Sequence, residues 1–201
     1  MKKIIPITLC AILSACGGTS VVDLQNEAEV AAMQQVMELE YRDWTKTAEN
    51  MTKSMIESGA LNRTPKPAIA IANIVNDTTQ RFDTDILVKK IRTTLLKSGK
   101  AQIATNFSGE DTTANSVRSL RDNIEYAQNT IANKGMLVAP NMSLSGKMLQ
   151  RNLKLESGIF SSVDTRVEYY LQLTLTDLNT GLSVWEDEQP IIKEGTHAPT
   201  W

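Results

Sequence analysis

The chain has few of the residues from which most catalytic and metal sites are built. It contains two cysteines and one histidine among 201 residues, and the histidine, His197, lies close to the carboxyl terminus. A Ser-His-Asp triad needs a histidine base, and a zinc site needs about four nitrogen, sulfur or carboxylate ligands. No glycine-rich phosphate loop of the GxGxxG or GxxxxGK[ST] type is present. The sequence therefore predicts no catalytic site, no metal site and no cofactor.

Paired carboxylates are the remaining route to acid-base chemistry, because two of them can hydrolyse a glycan. Asp83 and Asp85 stand together, and Glu186–Glu188 follows a tryptophan. We interpret the first pair as the capped start of a helix and the second group as the solvated end of a strand. On this interpretation the protein is not an enzyme.

An excess of positive charge is also missing. The chain carries 21 basic and 23 acidic residues, a formal net charge of −2. Proteins that bind nucleic acid are typically basic, so a nucleic-acid partner is not expected. After the amino-terminal segment no apolar run is long enough to cross a membrane, and the chain length suits one domain with a tether.

The amino terminus has the organisation of an export signal. Lys2 and Lys3 precede a short apolar run from Ile4 to Ala15. The run ends in Leu-Ser-Ala-Cys-Gly, which resembles the bacterial lipobox, and this predicts that residues 1–15 are removed and that Cys16 carries the lipid. The other cysteine, Cys10, lies inside the removed segment, and loss of two lysines leaves a mature charge of about −4.

The first third of the mature chain is predicted to be mostly helical, from Asp23 to Glu57. Within it, Asp43 is expected to cap a helix that ends at Gly59. Four methionines fall at helical spacing and form either a partner-binding face or part of the domain's own core, the reading we favour: Met33, Met37, Met51 and Met55. We expect a lipidated, partly helical tether at 16–40, a globular domain at 41–195 and a short tail at 196–201.

The rest of the chain alternates strands and helices. Strands are predicted at 68–75, 101–107, 136–149, 165–177 and 182–192, and helices at 83–99 and 116–133, with a loop at 76–79. The order β-α-β-α-β-β-β, preceded by a helical segment, predicts an α/β (α+β) domain with two layers. In this domain a mixed sheet has helices on one face.

Several of these segments, taken in order behind a lipobox, resemble the LpoB family of outer-membrane lipoproteins that activate bifunctional, class A penicillin-binding proteins. The resemblance covers about residues 41 to 193. It is carried by Tyr41-Arg42-Asp43-Trp44, Ile69–Thr78, Ile91–Leu96 with Ser98-Gly99-Lys100, Leu171–Leu175, Asp177–Gly181 and Val184–Glu188. The Asn-Thr-Gly turn followed by Trp185 also occurs in other periplasmic lipoproteins, including the curli-secretion channel family.

The resemblance implies a domain similar to the amino-terminal domain of TolB, with no reaction of its own. It further implies a periplasmic monomer that is lipid-anchored in the outer membrane and binds a class A penicillin-binding protein. A scaffold lipoprotein of a curli-like secretion apparatus is the alternative, and it would form a stable homo-oligomer. The region between Cys16 and Tyr41 is shorter than the long proline-rich tether of enterobacterial members.

The partner is predicted to dock on the sheet face that the helices leave uncovered. On the middle strand, alternate residues point away from the expected core: Arg166, Glu168, Tyr170, Gln172 and Thr174. Tyr170 offers the large rigid surface that anchors interfaces. The second candidate is the nearby loop that contains Asn76, Asp77 and Arg81. An ordinary solvated face of an antiparallel sheet is the alternative reading of this pattern.

Overall fold

A computed structural model describes residues 26–32, 36–105, 111–155 and 165–195. The chain divides into two compact units, residues 1–34 and 35–201. The first contributes one described element, helix α1 (Glu27–Ala32). The predicted signal, Cys16, Met33, His197 and the tail lie outside the described residues.

The second unit holds one mixed sheet and three helices among its described residues. In chain order its elements are α2 (Tyr41–Glu57), β1 (Ala68–Ile71), β2 (Val75–Asp77), α3 (Asp85–Ser98), β3 (Gln102–Ile103), α4 (Thr112–Ser119), β4 (Met142–Lys154), β5 (Thr165–Asp177) and β6 (Ser183–Gly195). Two single-turn 3-10 helices, Leu120–Asp122 and Gln128–Thr130, follow α4. Within the described ranges, no helix is both long and apolar enough to pass through a bilayer.

The sheet has the strand order β3-β1-β4-β5-β6, and β2 pairs with β4 beyond the end of β1. The pairings of β1 and β2 are parallel, whereas β4, β5 and β6 form an antiparallel meander of thirteen-residue strands. Strand β6 pairs with one strand only among the described residues, and it carries Pro190 opposite Tyr170. The mixed α/β class predicted from the sequence is confirmed.

The core lies between one face of the sheet and helices α2 and α3. On β5 the alternation predicts the buried face correctly, because Val167, Tyr169, Leu171, Leu173 and Leu175 are all buried. Helix α3 presents Leu87, Ile91 and Leu95 to the same core, as its spacing predicts. Both helices end as predicted, with left-handed glycines at Gly59 and Gly99.

Helix α2 contributes Trp44, Ala48, Met51 and Met55 to this core. Met51 and Met55 are fully buried, so the core interpretation of the methionines is confirmed for these two. Met37 is partly buried against the same cluster. Because α2 and α3 share one side of the sheet, the other side is left without a covering helix in the part of the chain described.

The predicted helix at 116–133 is wrong. Helix α4 ends at Ser119, and no residue between 111 and 140 is buried. The side chain of Asn123 accepts a hydrogen bond from the amide of Glu125, and this local turn competes with continuation of the helix. The sequence pattern predicts that the helix at 116–133 packs on the sheet beside α3. In the structure, α2 packs there instead.

Several boundaries also differ from the prediction. The apolar strand at 68–75 is interrupted after Ile71 and resumes as β2, so Asn76 and Asp77 lie in a strand and not in a loop. Helix α3 has Thr84 at its N-cap position, while the Asp83 carboxylate accepts a hydrogen bond from the amide of Asp85. The segment from Asp23 to Glu57, predicted to be mostly helical with a second helix starting at Asp43, contains α1 and α2, and the second helix begins at Tyr41 after the non-helical residues 36–40.

Candidate partner-binding surface

The uncovered face of the sheet, which we call the open face, consists of outward residues on β4, β5 and β6. Its central row of β5 is the predicted one: Arg166, Glu168, Tyr170, Gln172 and Thr174. Strand β4 adds Lys147, Leu149 and Arg151 opposite Gln172, Tyr170 and Glu168, and β6 adds Glu186, Glu188, Pro190, Ile192 and Glu194. The structure thus brings together on one face the five outward residues of β5 that the sequence pattern predicts.

Tyr170 and Glu168 form a bonded pair at the middle of the open face. The Tyr170 hydroxyl donates a hydrogen bond of 2.6 Å to Glu168 Oε2, and this bond, with burial and the carboxylate charge, raises the pKa of Tyr170. Glu168 is only 8% exposed, and Arg151 and Arg166 each approach its carboxylate to 4.0 Å. The ring of Tyr170 is therefore held in place, while its hydroxyl is engaged within the face.

The other charged groups of the open face are also paired across strands. Arg166 donates to Glu194 at 2.6 Å, and Gln172 donates to Glu188 at 2.7 Å. Thr174 donates to Glu186 at 3.1 Å. Glu186 and Glu188, the carboxylates that follow Trp185 in the sequence, are thus residues of β6 that accept hydrogen bonds from β5. The bonds between the strands hold the side chains of the open face in fixed positions.

One residue of the second candidate surface, Asp77, lies in the same row as Tyr170 on the open face. Asp77 pairs with Leu149, Leu149 pairs with Tyr170, and Tyr170 pairs with Pro190, so the four lie in one row across the sheet. Neighbouring strands are about 4.8 Å apart, which places Asp77 roughly 10 Å from Tyr170. Asp77 is bound by Lys147 at 2.7 Å.

Asn76 and Arg81 lie beside this row and not on it. Asn76 is partly buried, and its side-chain amide donates to the backbone oxygen of Gln80 at 3.0 Å. This bond holds the turn that follows β2 and gives Asn76 a structural contact. Arg81 is exposed at the end of that turn.

Sequence reasoning missed a clamp that holds residues 37–40, the segment through which the chain enters the domain. The Gln80 side chain accepts a hydrogen bond from the Leu39 amide at 2.9 Å and donates to the Leu39 oxygen at 3.2 Å. The Tyr169 hydroxyl, whose pKa is raised by burial, donates to the Met37 oxygen at 3.3 Å. A Cβ on Gly195 would lie 2.8 Å from the Met37 sulfur, so the segment runs tightly past the end of β6.

A buried ionic group completes the clamp. Lys193, only 7% exposed, reaches Asp43 at 2.7 Å and Glu40 at 3.6 Å. Glu40 and Asp43 also form the capping box of α2. The prediction that Asp43 caps this helix is wrong in its position, because Glu40 is the N-cap residue and Asp43 is the third residue of the helix. The Glu-x-x-Asp spacing is the sequence signal that could have found this group, whereas its pairing with Lys193 depends on the fold.

No metal-ligating group of three or more histidine, cysteine or acidic side chains occurs among the described residues. A shallow groove of about 340 Å³ lies between α2 and α3, lined by Tyr41, Trp44, Thr45, Ile86, Lys89, Lys90 and Thr93. Trp44 stacks at a tilt on Phe82, with ring centroids 4.1 Å apart.

The family model of the peptidoglycan-synthase activator LpoB matches residues 43–191. The chain belongs to the LpoB family. The match begins at the capping-box residue Asp43 and ends within β6, so it includes β1 to β5 and most of β6. It confirms the resemblance drawn from the sequence.

Solved structures of LpoB domains are similar to this chain at low identity. The LpoB C-terminal domain from Escherichia coli is 13% identical, with a TM-score of 0.42, over 74% of this chain and 98% of that one. The corresponding domain from Salmonella enterica is 12% identical, with a TM-score of 0.46 and the same coverage. A PelC dodecamer from Paraburkholderia phytofirmans is 18% identical, with a TM-score of 0.30, over 64% of this chain and 72% of that chain. No curated protein matches the chain.

Proposed function

We propose that this LpoB-family protein is a lipoprotein without a reaction of its own that binds and activates a class A penicillin-binding protein. In this proposal Cys16 carries the lipid that anchors a monomer in the outer membrane, with the domain facing the periplasm. The observation that carries the proposal is the family match over residues 43–191, which coincides with the folded domain. Activation of a peptidoglycan synthase would make the protein a regulator of cell-wall synthesis and cell shape.

We place the partner on the open face, with Tyr170 as its central contact. Aromatic side chains at the centre of interfaces contribute much of the binding energy, because they bury a large area with little loss of conformational freedom. The hydrogen bond to Glu168 fixes the Tyr170 ring before binding. Arg166, Gln172 and Asp77 surround it with paired polar groups, which resembles the polar rim of many interfaces.

Two substitutions at Tyr170 test this site. In Tyr170→Ala the ring is lost, and we expect the affinity of the lipoprotein for its synthase to fall about thirtyfold, equivalent to roughly 2 kcal/mol. In Tyr170→Phe the ring is kept and only the bond to Glu168 is lost, so we expect a smaller change. Surface plasmon resonance on the immobilised synthase measures both, and stimulation of its glycosyltransferase and transpeptidase activities should follow the same order.

Tyr126→Ala provides a matched control, because Tyr126 is an exposed tyrosine in the segment between α4 and β4. Its affinity should equal that of the wild type, and all variants should have unchanged melting temperatures. Arg166→Glu places a negative charge beside Glu168 and Glu194 and is expected to weaken binding as well. If the wild type, Tyr170→Ala and Arg166→Glu bind the synthase with equal affinity, the partner does not bind at the open face.

A further inference from the structure

The clamp defines the end of the domain from which the tether leaves. It holds residues 37–40 against Tyr169, Lys193 and Gly195, where β5 begins and β6 ends. We call this the tether end of the sheet. The turn between β5 and β6, residues 178–182, lies at the opposite end, which we call the turn end.

The turn end carries a group of exposed apolar side chains. Leu178 and Leu182, in the turn, are 49% and 65% exposed. Met136, Leu137 and Val138 are more than half exposed and lead into β4 at the same end. The two segments are joined there, because the Leu178 amide donates to the Asn141 oxygen at 2.9 Å.

The turn that presents these leucines is firmly held. The Asp177 amide donates to the Leu182 oxygen at 2.9 Å, and the Gly181 amide donates to the Asp177 oxygen at 2.8 Å. The Arg63 guanidinium forms an ion pair with the Asp177 carboxylate at 2.5 Å. The exposed leucines are therefore side chains of an ordered turn, and a preorganised apolar group loses little conformational entropy when a partner covers it.

The position of this group relative to the tether is the decisive observation. Ten residues of β5 separate Val167, opposite Lys193, from Asp177, a distance of roughly 35 Å along the strand. Between Cys16 and Met37 the chain covers about 70 Å at most when fully extended. Along β5 the turn end is thus the part of the described sheet that lies furthest from residue 37, where the tether enters the domain.

We propose that the turn end is an additional docking surface for the periplasmic part of the synthase, with Leu178 and Leu182 entering an apolar site on it. This inference rests on the proposed function and adds a second contact to the open face. A short tether makes such an end-on contact useful, because the turn end extends roughly 35 Å beyond the residues at which the tether enters the domain. The exposed Lys66, which precedes β1 at the same end, favours a synthase site with an acidic border.

The test uses the lipidated full chain in detergent and the purified synthase. The double variant Leu178→Asp with Leu182→Asp keeps the backbone bonds of the turn and replaces both apolar contacts with charges. We expect its affinity to fall at least tenfold at an unchanged melting temperature. Ile86→Asp, which alters a similarly exposed apolar residue at the start of α3, is the matched control and should bind like the wild type.

The outcomes separate the two proposals. Absence of binding by the wild type would overturn the proposed function itself. Binding by the wild type with equal binding by the double variant would overturn only the turn-end contact. Self-association of the wild type that the double variant abolishes would assign the leucines to contacts between copies of the chain, and that result would also overturn this inference.

Discussion

At the residue scale, the proposed lipid anchor depends on one sulfur atom. Cys16→Ser removes the thiol that receives the diacylglyceryl group, and serine has no thiolate to replace it. We expect no incorporation of radioactive palmitate and release of the protein from the membrane fraction. Palmitate labelling of the serine variant at the wild-type level would contradict the assignment of Cys16.

The buried lysine of the clamp gives a prediction for stability. In Lys193→Met the Asp43 and Glu40 carboxylates lose a partner in a site with little water, and we expect the free energy of unfolding to fall by about 3 kcal/mol. Urea denaturation followed by circular dichroism measures this change. Lys53→Met is the control, because Lys53 is exposed and its pair with Glu57 is 3.7 Å long, so its effect should stay below about 0.5 kcal/mol. Equal midpoints for both variants would show that the clamp contributes nothing.

The ion pair below the β5–β6 turn predicts a dependence on pH. Hydrogen bonds from Arg63 and from the Asn179 amide lower the pKa of Asp177 from its usual value of 3.8. The ionised carboxylate therefore stabilises the fold above about pH 4, and this contribution is lost as the pH falls through the lowered pKa. Asp177→Asn retains an acceptor for Asn179, so its melting temperature should be below that of the wild type at pH 7 and approach it at low pH. A difference that does not vary with pH would exclude this role of the charge.

At the scale of elements, the sequence predicts best where a periodic pattern coincides with burial. On β5 every second residue is apolar, and on α3 the apolar residues form one stripe along the helix. Both elements form, and in both the predicted apolar face is the buried one. The pattern at 116–133 is equally periodic, yet those residues remain outside the core. An apolar period shows which side of a helix could be buried, but not whether the sheet has room for that helix. Here α2 already packs on the side of the sheet that α3 covers, and the order of elements along the chain does not reveal this position.

This difference between the two helical patterns can be measured. Ile91 is fully buried in α3, so Ile91→Ala should lower the free energy of unfolding by about 3 kcal/mol. Ile124 is 96% exposed, so Ile124→Ala should change it by less than about 0.5 kcal/mol. Thermal and urea denaturation compare the two substitutions of the same residue type. A large decrease in the free energy of unfolding in Ile124→Ala would instead support the packed helix that the sequence pattern predicts at 116–133.

The candidate site could be predicted in part for a related reason. Alternation on β5 identifies Arg166, Glu168, Tyr170 and Gln172 as one row, because strand geometry is local. Asp77 lies in line with these residues only because β2 pairs with β4, a contact between residues about seventy positions apart in the sequence. The clamp on Leu39 depends on Gln80 in the same way, and no local pattern marks either partner.

At the scale of the whole molecule, the proposed function sets a requirement on the length of the tether. Deletion of residues 18–25 shortens the extended reach by about 25 Å without touching the described domain. In cells the shortened lipoprotein should fail to replace the wild type, while its stimulation of the purified synthase stays unchanged. Insertion of eight glycine and serine residues at the same place should restore function in cells. Full function of the shortened chain in cells would mean that reach does not limit it.

The proline in the outer strand has a consequence for how assemblies can grow from this domain. Among the described residues, strand β6 has no partner strand along one edge of thirteen residues, and such an edge is a template on which further strands can add and proteins can polymerise. Pro190 has no amide hydrogen to donate, so an incoming strand cannot form an uninterrupted ladder along this edge. The acidic side chains on either side of it would also repel a second identical edge. We therefore expect a partner that binds at this edge to contact the side chains of β6 and not to add a strand to the sheet.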